Sequence, residues 1–495
     1  MHITFDPAMI TIYRVILGIF FILNIGLMLI LVFIERDRRE ATSTWAWLLL
    51  LVVLPIIGFI LYLFLGRGVK MNSKYNEENK QDIDAKDRVK KQREAFKKEN
   101  FDSNNDYVSR HSDLVEMLLT REASFITEDN TVDVYTDGKT LFDQMKHDLK
   151  HATQFIHLEF YTLADDHLGH EIIQILEEKA KEGLEVKILY DAIGSKDQRK
   201  HKFKQFIENG GEVESFFHAK IPFLNFRINN RNHRKILVID GKTGYVGGFN
   251  IGDDYLGLNP KMGYWRDTHL RVQGDGIDAL ELSFIHDWNS QTDAKRHLKY
   301  QTKYFPDNKH HDGKVAMQLA LSGPDDDWQQ IEFGYLKMIM NAKESIYMHT
   351  PYFVPDAGFI SALRIAVNSG VDVHLIIPNK PDQPLVHWAS LGSVAPLIEE
   401  GVNVYTYENG FIHSKMMVID GEVASVGSCN MDNRSFKLNF EVNAFVFNKE
   451  IAHKLIHAFN EDLKVSKKLT KERYESRSNW IKFKQSIAKL ASPIL

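Results

Sequence analysis

A chain of 495 residues is longer than one hydrophobic core usually organises, so more than one domain is expected. A net charge of −5 supplies no overall basic field, which argues against a general nucleic-acid binder. The single cysteine, Cys429, excludes an intramolecular disulfide and a thiolate metal cluster.

Local bias carries more information, and it begins at the N-terminus. Val15 to Ile34 is a run of 20 residues with no charge and one polar side chain, Asn24. Trp45 to Leu65 is a second uncharged run of 21 residues, with Trp45 and Trp47 at one end and Tyr62 near the other. Each is long enough to cross a bilayer as a helix, and Trp and Tyr favour the interface. Residues 1–70 therefore read as a transmembrane helical hairpin, with Pro55 tolerated inside the second span. The loop Glu35–Thr44 holds Arg36, Arg38 and Arg39, against Arg14, Arg67, Lys70, Lys74 and Lys80 on the other side. This excess places the multi-pass protein in the cell membrane with its C-terminal body in the cytoplasm.

Residues 71–111 are rich in Lys, Glu, Asp, Asn and Gln and read as a polar linker or a solvated helix. Two α/β units follow, residues 112–320 and 321–465. In the first, Gln154–Tyr161 reads as a strand, Leu168–Glu182 as a helix closed by Gly183, and Val186–Tyr190 as the next strand. In the second, Ser345–Thr350, Gly358–Ser369 with Gly370, and Val371–Ile377 repeat that order. Alternation of this kind predicts an α/β fold with a mainly parallel or mixed sheet in each half. Residues 466–495 are basic, with Trp480, Phe483, Ile487 and Leu490 spaced helically among Lys482, Lys484 and Lys489. They predict a helix that either packs on the body or lies on an anionic membrane.

Each α/β unit leads into the same sparse residue set, 180 positions apart. His233, Lys235, Asp240, Gly247 and Asn250 recur as His413, Lys415, Asp420, Gly427 and Asn430 with identical spacing. The repetition predicts an internal duplication that brings two His-Lys-Asn sets to one site. His and Lys at i and i+2 share a face of the strand formed by Ile236–Ile239 or Met416–Ile419. Two imidazoles can attack a phosphodiester and protonate its leaving group, while Lys235, Lys415, Asn250 and Asn430 stabilise oxygen charge. Neither a metal nor another cofactor is required. Asp240 and Asp420, at strand ends beside Asp-Gly turns, suit a structural role. Asp267, 34 residues after His233, and Glu441, 28 after His413, are candidates to orient the imidazoles.

The paired motifs resemble the HKD motifs of the phospholipase D superfamily. That resemblance implies two tandem α-β-α halves joined as a pseudo-dimer around one metal-independent site, with a phosphohistidine intermediate. It implies His233 as nucleophile and His413 as acid and base, a choice that spacing alone leaves open. It also implies Asp267 and Glu441 as the orienting carboxylates. Trp45–Leu48, Pro55–Gly58, Asn230–Lys235, Gly247–Gly252, Gly427–Phe436 and Ser492–Leu495 are further similar to bacterial cardiolipin synthases. The expected reaction is transfer of a phosphatidyl group between two phosphatidylglycerol molecules, giving cardiolipin and glycerol. The expected partners are phosphatidylglycerol, other anionic lipids and the membrane, with no nucleic acid; an oligomer is compatible with the sequence. The alternative is a phospholipase D-type hydrolase of anionic phospholipids, since the first half-reaction is the same. A nuclease or an inactive scaffold fits less well with two apolar spans and two complete motifs. The stretch His218–Lys235 holds Lys220, Arg227, Arg231, Arg234 and Lys235 among Ile221, Phe223, Leu224 and Phe226, with no acidic residue. It reads either as a lipid-gripping segment or as a surface loop.

Overall fold

The computed structural model describes residues 7–33, 41–62, 80–98, 103, 105–119, 124–198, 200–217, 230–307, 313–325 and 328–490. Most of the basic, aromatic stretch before His233, the loop Glu35–Glu40, the end of the second apolar run and the last five residues lie outside them. The chain divides into two compact units, the N-terminal helices and an α/β body.

In the N-terminal unit, Pro7–Phe33 is one continuous helix, and Tyr13–Phe33 within it is long and apolar enough to span a membrane. The second run departs from the expectation of one uniform span. It forms two helices, Ala41–Val53 and Pro55–Leu61, with a break at Leu54. Pro55 offers no N–H and pushes the residue before it out of the α region, and Leu54 sits at φ −128°, ψ 70°. The Asn24 amide, the one polar side chain of the first run, donates to the Pro55 carbonyl beside this break (2.9 Å). Trp47 and Tyr62 meet edge to face at 5.2 Å and pack with Leu31 and Leu51.

The body begins earlier than expected. Helix Lys80–Lys97, read from sequence as linker, is docked rather than solvated. Ala85 and Val89 enter the core, Arg88 pairs with Asp278 at 3.0 Å, and the Gln92 amide bonds both backbone groups of Ile126. A polar helix needs only a narrow apolar stripe to dock, and two small residues spaced four apart supply it.

The first half contributes strands β1 (Ile126–Asp137), β2 (Phe155–Phe160), β3 (Glu185–Asp191), β4 (Glu212–Phe216), β5 (Arg231–Asn232), β6 (Lys235–Ile239), β7 (Thr243–Gly247) and β8 (Trp265–Gln273). The second contributes β9 (Val315–Ser322), β10 (Ser345–His349), β11 (Phe353–Val354), β12 (Asp372–Pro378), β13 (Asn403–Tyr407), β14 (Phe411–Ile412), β15 (Met416–Ile419), β16 (Val423–Gly427), β17 (Met431–Asp432), β18 (Asn439–Phe447) and β19 (Ser466–Lys468). Hydrogen bonding orders the first sheet β4-β3-β2-β6-β7-β8-β1. The second runs β13-β12-β10-β15-β16-β18-β9, with the same parallel and antiparallel pairings at each step. The duplication read from the two motifs thus extends to whole sheets.

Matching helices cover the outer faces. Asp166 caps His167–Lys181 through the Gly169 N–H, and Asp356 caps Ala357–Asn368 through the Phe359 N–H. Gly183 (φ 92°) and Gly370 (φ 95°) release the chain into β3 and β12. The inner faces share one core. Helices Gly276–Gln291 and Lys449–Lys464 run through it, so that Trp288 and Phe459 pack among side chains of both sheets.

Asp240 and Asp420 occupy the left-handed region (φ 55° and 51°) at the ends of β6 and β15. Their carboxylates accept the backbone N–H groups that open the neighbouring strand: Gln154 and Phe155 for Asp240, at 2.7 and 2.9 Å, and Glu344 and Ser345 for Asp420, at 2.8 and 2.9 Å. Each carboxylate fixes the register of β6 on β2 or of β15 on β10. Asp240→Ala should therefore cost about 3 kcal/mol, from lost charged hydrogen bonds plus left-handed strain. Urea unfolding of the two chains measures it, and a cost under about 1 kcal/mol would contradict the clamp.

Candidate active site

Each histidine lies just before its strand, not on it with its lysine as expected from sequence. His233 precedes β6 by two residues and His413 precedes β15 by three. What holds them is the opposite half. β5 pairs with β18 in parallel, Arg231 against Asn439 and Asn232 against Phe440. β14 pairs with β8 in the same way, Phe411 against Trp265 and Ile412 against Arg266. The His233 N–H then donates to the Phe440 carbonyl (2.9 Å), and the His413 N–H to the Arg266 carbonyl (2.7 Å).

This exchange crosses the carboxylates. Counting along the sequence pairs each carboxylate with the histidine of its own half. Instead His233 Nδ1 lies 3.0 Å from Glu441, and His413 Nδ1 lies 2.6 Å from Asp267. Both carboxylates are fully buried. Burial alone would raise them, but neighbouring groups hold both below the usual carboxylate range: Lys415 and the His413 ring for Asp267, the His233 ring and Lys235 for Glu441. Glu441 and the Ser428 carbonyl, both acceptors, keep His233 Nδ1 protonated and leave its Nε2 for chemistry, whereas His413 Nδ1 meets both Asp267 and, at 2.7 Å, the Lys415 ammonium.

The charges of each set are felt by the other. Burial lowers His233, and among the charges depressing it is Lys415 of the other half. Burial and then Lys415 push His413 down to about 3, with Lys235 adding to the effect. Both lysines are fully buried, and desolvation takes Lys235 to about 7 and Lys415 to about 8. Lys235 Nζ donates to the His233 carbonyl and lies 5.3 Å from the Tyr161 ring centre, while Lys415 Nζ reaches the His413 carbonyl. Two buried lysines suit a phosphodiester anion, whose negative charge favours their protonated forms.

The asparagines differ. Asn250 is fully engaged, accepting from the Thr162 N–H (3.1 Å) and donating to the Tyr255 hydroxyl (2.9 Å). Asn430 is buried with its amide oxygen unpaired among the described residues. Asp240 and Asp420 stand at the far ends of their strands and bond backbone there, which separates them from the imidazoles.

Several groups had no sequence signal. The Tyr161 ring meets His233 edge-on at 4.8 Å, and Trp265 lies 5.2 Å from His413. Ser428 donates its hydroxyl to Glu441, whereas at Gly248, its counterpart, a Cβ would sit 2.0 Å from Asp267 Oδ1. The Gly248/Ser428 difference thus divides the two carboxylates: one accepts a hydroxyl, the other packs against bare backbone. Two arginines of the first half also buttress the carboxylate strands. Arg234 spans Asp287 and the Glu441 carbonyl, and Arg266 spans Asp462 and the Asp267 carbonyl.

Behind the site His269 is fully buried, with neither ring nitrogen bonded among the described residues, and burial holds its pKa at about 3. An unfolded histidine takes its proton near 6.5. As pH falls below about 6.5 the unfolded chain protonates first, so stability should fall from there toward pH 3. His269→Phe should flatten the Tm-against-pH curve of the body between pH 6.5 and 4.5; an unchanged slope would assign the acid loss to other groups.

Comparison with known proteins agrees with the two repeated halves. A family profile described as "Cardiolipin synthase, PLD-like domain" matches residues 145–273 and 335–463, and a phospholipase D–nuclease N-terminal profile matches residues 22–67. The chain is 56% identical to cardiolipin synthase 1 of Staphylococcus aureus (strain COL) over the full length of both. It is 51% identical to a Staphylococcus epidermidis cardiolipin synthase 2, covering 96% of each chain. Among solved structures, phosphatidylserine synthase of Haemophilus influenzae Rd KW20 superposes with a TM-score of 0.56 at 14% identity, over 74% of this chain and 95% of that one. That likeness is one of fold.

Proposed function

The chain belongs to the cardiolipin synthase family of phospholipase D-like proteins, and on that premise we propose that it joins two phosphatidylglycerol molecules into cardiolipin and releases glycerol. The observation that carries this reading is the crossed pairing of His233 with Glu441 and His413 with Asp267, by which each half supplies the carboxylate for the other's imidazole. His233 Nε2 attacks phosphorus, the bond from phosphorus to the glycerol oxygen breaks, and His413 gives its proton to the departing alkoxide. A hydroxyl of the second phosphatidylglycerol then yields its proton to His413 and attacks phosphorus, freeing His233. Lys235, Lys415 and Asn430 stabilise the charge on the non-bridging oxygens, while Asn250 holds the loop around Thr162. Glu441 and Asp267 are positioning residues, and Asp240 and Asp420 act on the fold alone.

The free imidazoles are both depressed, so in the empty site neither is charged at neutral pH. An incoming phosphodiester anion raises them, and the proton that His413 donates is taken up from solvent as that anion binds. We place the substrate at a membrane, with residues 1–70 as a two-pass anchor and the body on the cytoplasmic side, on the strength of the apolar runs and the flanking arginines and lysines. We place the boundary between the two catalytic halves at residue 315, ahead of β9, in place of the 320 expected from sequence, and helix Lys80–Lys97 with the first half.

The test is product analysis with pure phosphatidylglycerol. Cardiolipin and glycerol in equal amounts are expected; phosphatidic acid as the main product would replace the synthase with a hydrolase.

A further inference from the structure

We propose that the outward face of the helix Asn479–Leu490 seats on the surface of an anionic phospholipid bilayer and holds the active site at the headgroup plane. This rests on the reading of the substrate as an anionic phospholipid. One side of the helix is already used: Gln485 and Ala488 are buried against helix Pro384–Glu399. The other side stays apolar. Trp480, Phe483 and Ile487 are 63%, 55% and 49% exposed, and at i, i+3 and i+7 they form one stripe. Trp480 and Phe483 stack at 5.7 Å, so the stripe is ordered by its own rings.

Charge selects the occupant. Residues 476–490 hold Arg477, Lys482, Lys484 and Lys489 and no acidic side chain. Lys484 lies between Trp480 and Trp388, 5.4 and 5.5 Å from their rings. An apolar, Trp-bearing stripe bordered by lysines matches the boundary of acidic headgroups and acyl chains, into which such helices sink by about 5–10 Å.

The placement reaches the chemistry. Lys484 faces Trp388, and Gly392 faces Gln485 and Lys489, so the two helices run in the same direction. Trp480 therefore comes level with the start of helix Pro384–Glu399. Just before that start, Asp382 accepts the Tyr352 hydroxyl and its charge acts on Lys415. The same helix pins β11 through Ser390 Oγ and the Phe353 N–H (3.0 Å), and β11 pairs with β17, directly after Asn430.

The full chain carrying Phe483→Cys, labelled with an environment-sensitive fluorophore, tests this in phosphatidylglycerol proteoliposomes; the native Cys429 is buried. A blue-shifted emission quenched by lipids spin-labelled near the headgroup is expected. Emission like that in water would overturn the proposal. So would a blue shift already present in detergent and deaf to labelled lipid, which would mark a second copy of the chain as the occupant. The variant Trp480→Glu/Phe483→Glu/Ile487→Glu should lose at least tenfold in cardiolipin formation from bilayer substrate. Its turnover of water-soluble short-chain phosphatidylglycerol should stay within twofold of native. Equal loss on both substrates would also overturn the proposal. Failure of the underlying function looks different: the native chain would make no cardiolipin from either substrate, whatever the label reports.

Discussion

Replacing His413 by Asn should slow cardiolipin formation by roughly 10⁴-fold and leave the phosphatidyl group stranded on His233 when the donor carries a good leaving group. The reason is the division of labour between two imidazoles that share one site but not one partner. Without His413 there is no acid for the glycerol alkoxide and no base for the acceptor hydroxyl. A phosphatidyl nitrophenyl ester needs no acid to lose nitrophenolate, so His233 still attacks it. The adduct then persists, because nothing deprotonates the incoming lipid. His233→Ala should abolish both the adduct and turnover. Peptide mapping of the labelled protein decides the case: label on His413 in the native chain, with none on His233, would reverse the assignment. Glu441→Gln should slow adduct formation on His233, since Glu441 and not Asp267 bonds that ring at 3.0 Å.

The exchange of carboxylates marks the limit of what sequence could supply. The two His-x-Lys sets were visible because a repeated spacing survives in one dimension. So were β6 and β15, apolar runs ending at Asp-Gly turns, and the helices His167–Lys181 and Ala357–Asn368, which ended at glycine within a residue or two of expectation. Asp267 and Glu441 could be nominated by residue type. Their partners could not, because the pairing is set by β5 on β18 and β14 on β8, which join segments 208 and 146 residues apart, and β5 and β14 are only two residues long. Strands that short carry no periodicity. Helix Lys80–Lys97 was hidden for a related reason: its docking rests on Ala85, Val89 and a few polar bonds, too little apolar character to distinguish a docked helix from a solvated one. Pro55 was read as tolerable, and it is, but at the cost of dividing the second apolar run. Tyr161, Trp265 and Ser428 were missed since no spacing distinguishes a ring or hydroxyl packed against a catalytic group from an ordinary core residue.

Lys235→Met should lower cardiolipin formation by roughly 10³-fold, as the loss of a preorganised cation at a reacting phosphate does, while raising the melting temperature of the chain at neutral pH. The two effects have one cause. Lys235 is fully buried, and desolvation lowers its ammonium to about 7 from the ordinary 10.4 or so. Below the unfolded value, folding must either strip its proton or hold the charge out of water, so the native chain is penalised. That penalty is greatest at and below pH 7 and shrinks as pH rises toward 10, where the unfolded lysine also loses its proton. Methionine has similar length, fills the same space and carries no charge to desolvate. Its thermal advantage should therefore be larger at pH 7 than at pH 9, and scans of both chains at the two pH values measure the difference. A lower melting temperature for the Met chain at pH 7 would mean that attraction to Glu441 and Asp267 outweighs desolvation, and that Lys235 supports the fold as well as the phosphate. The expected sign makes the lysine a group the fold tolerates for the sake of a phosphodiester that only the assembled halves can grip.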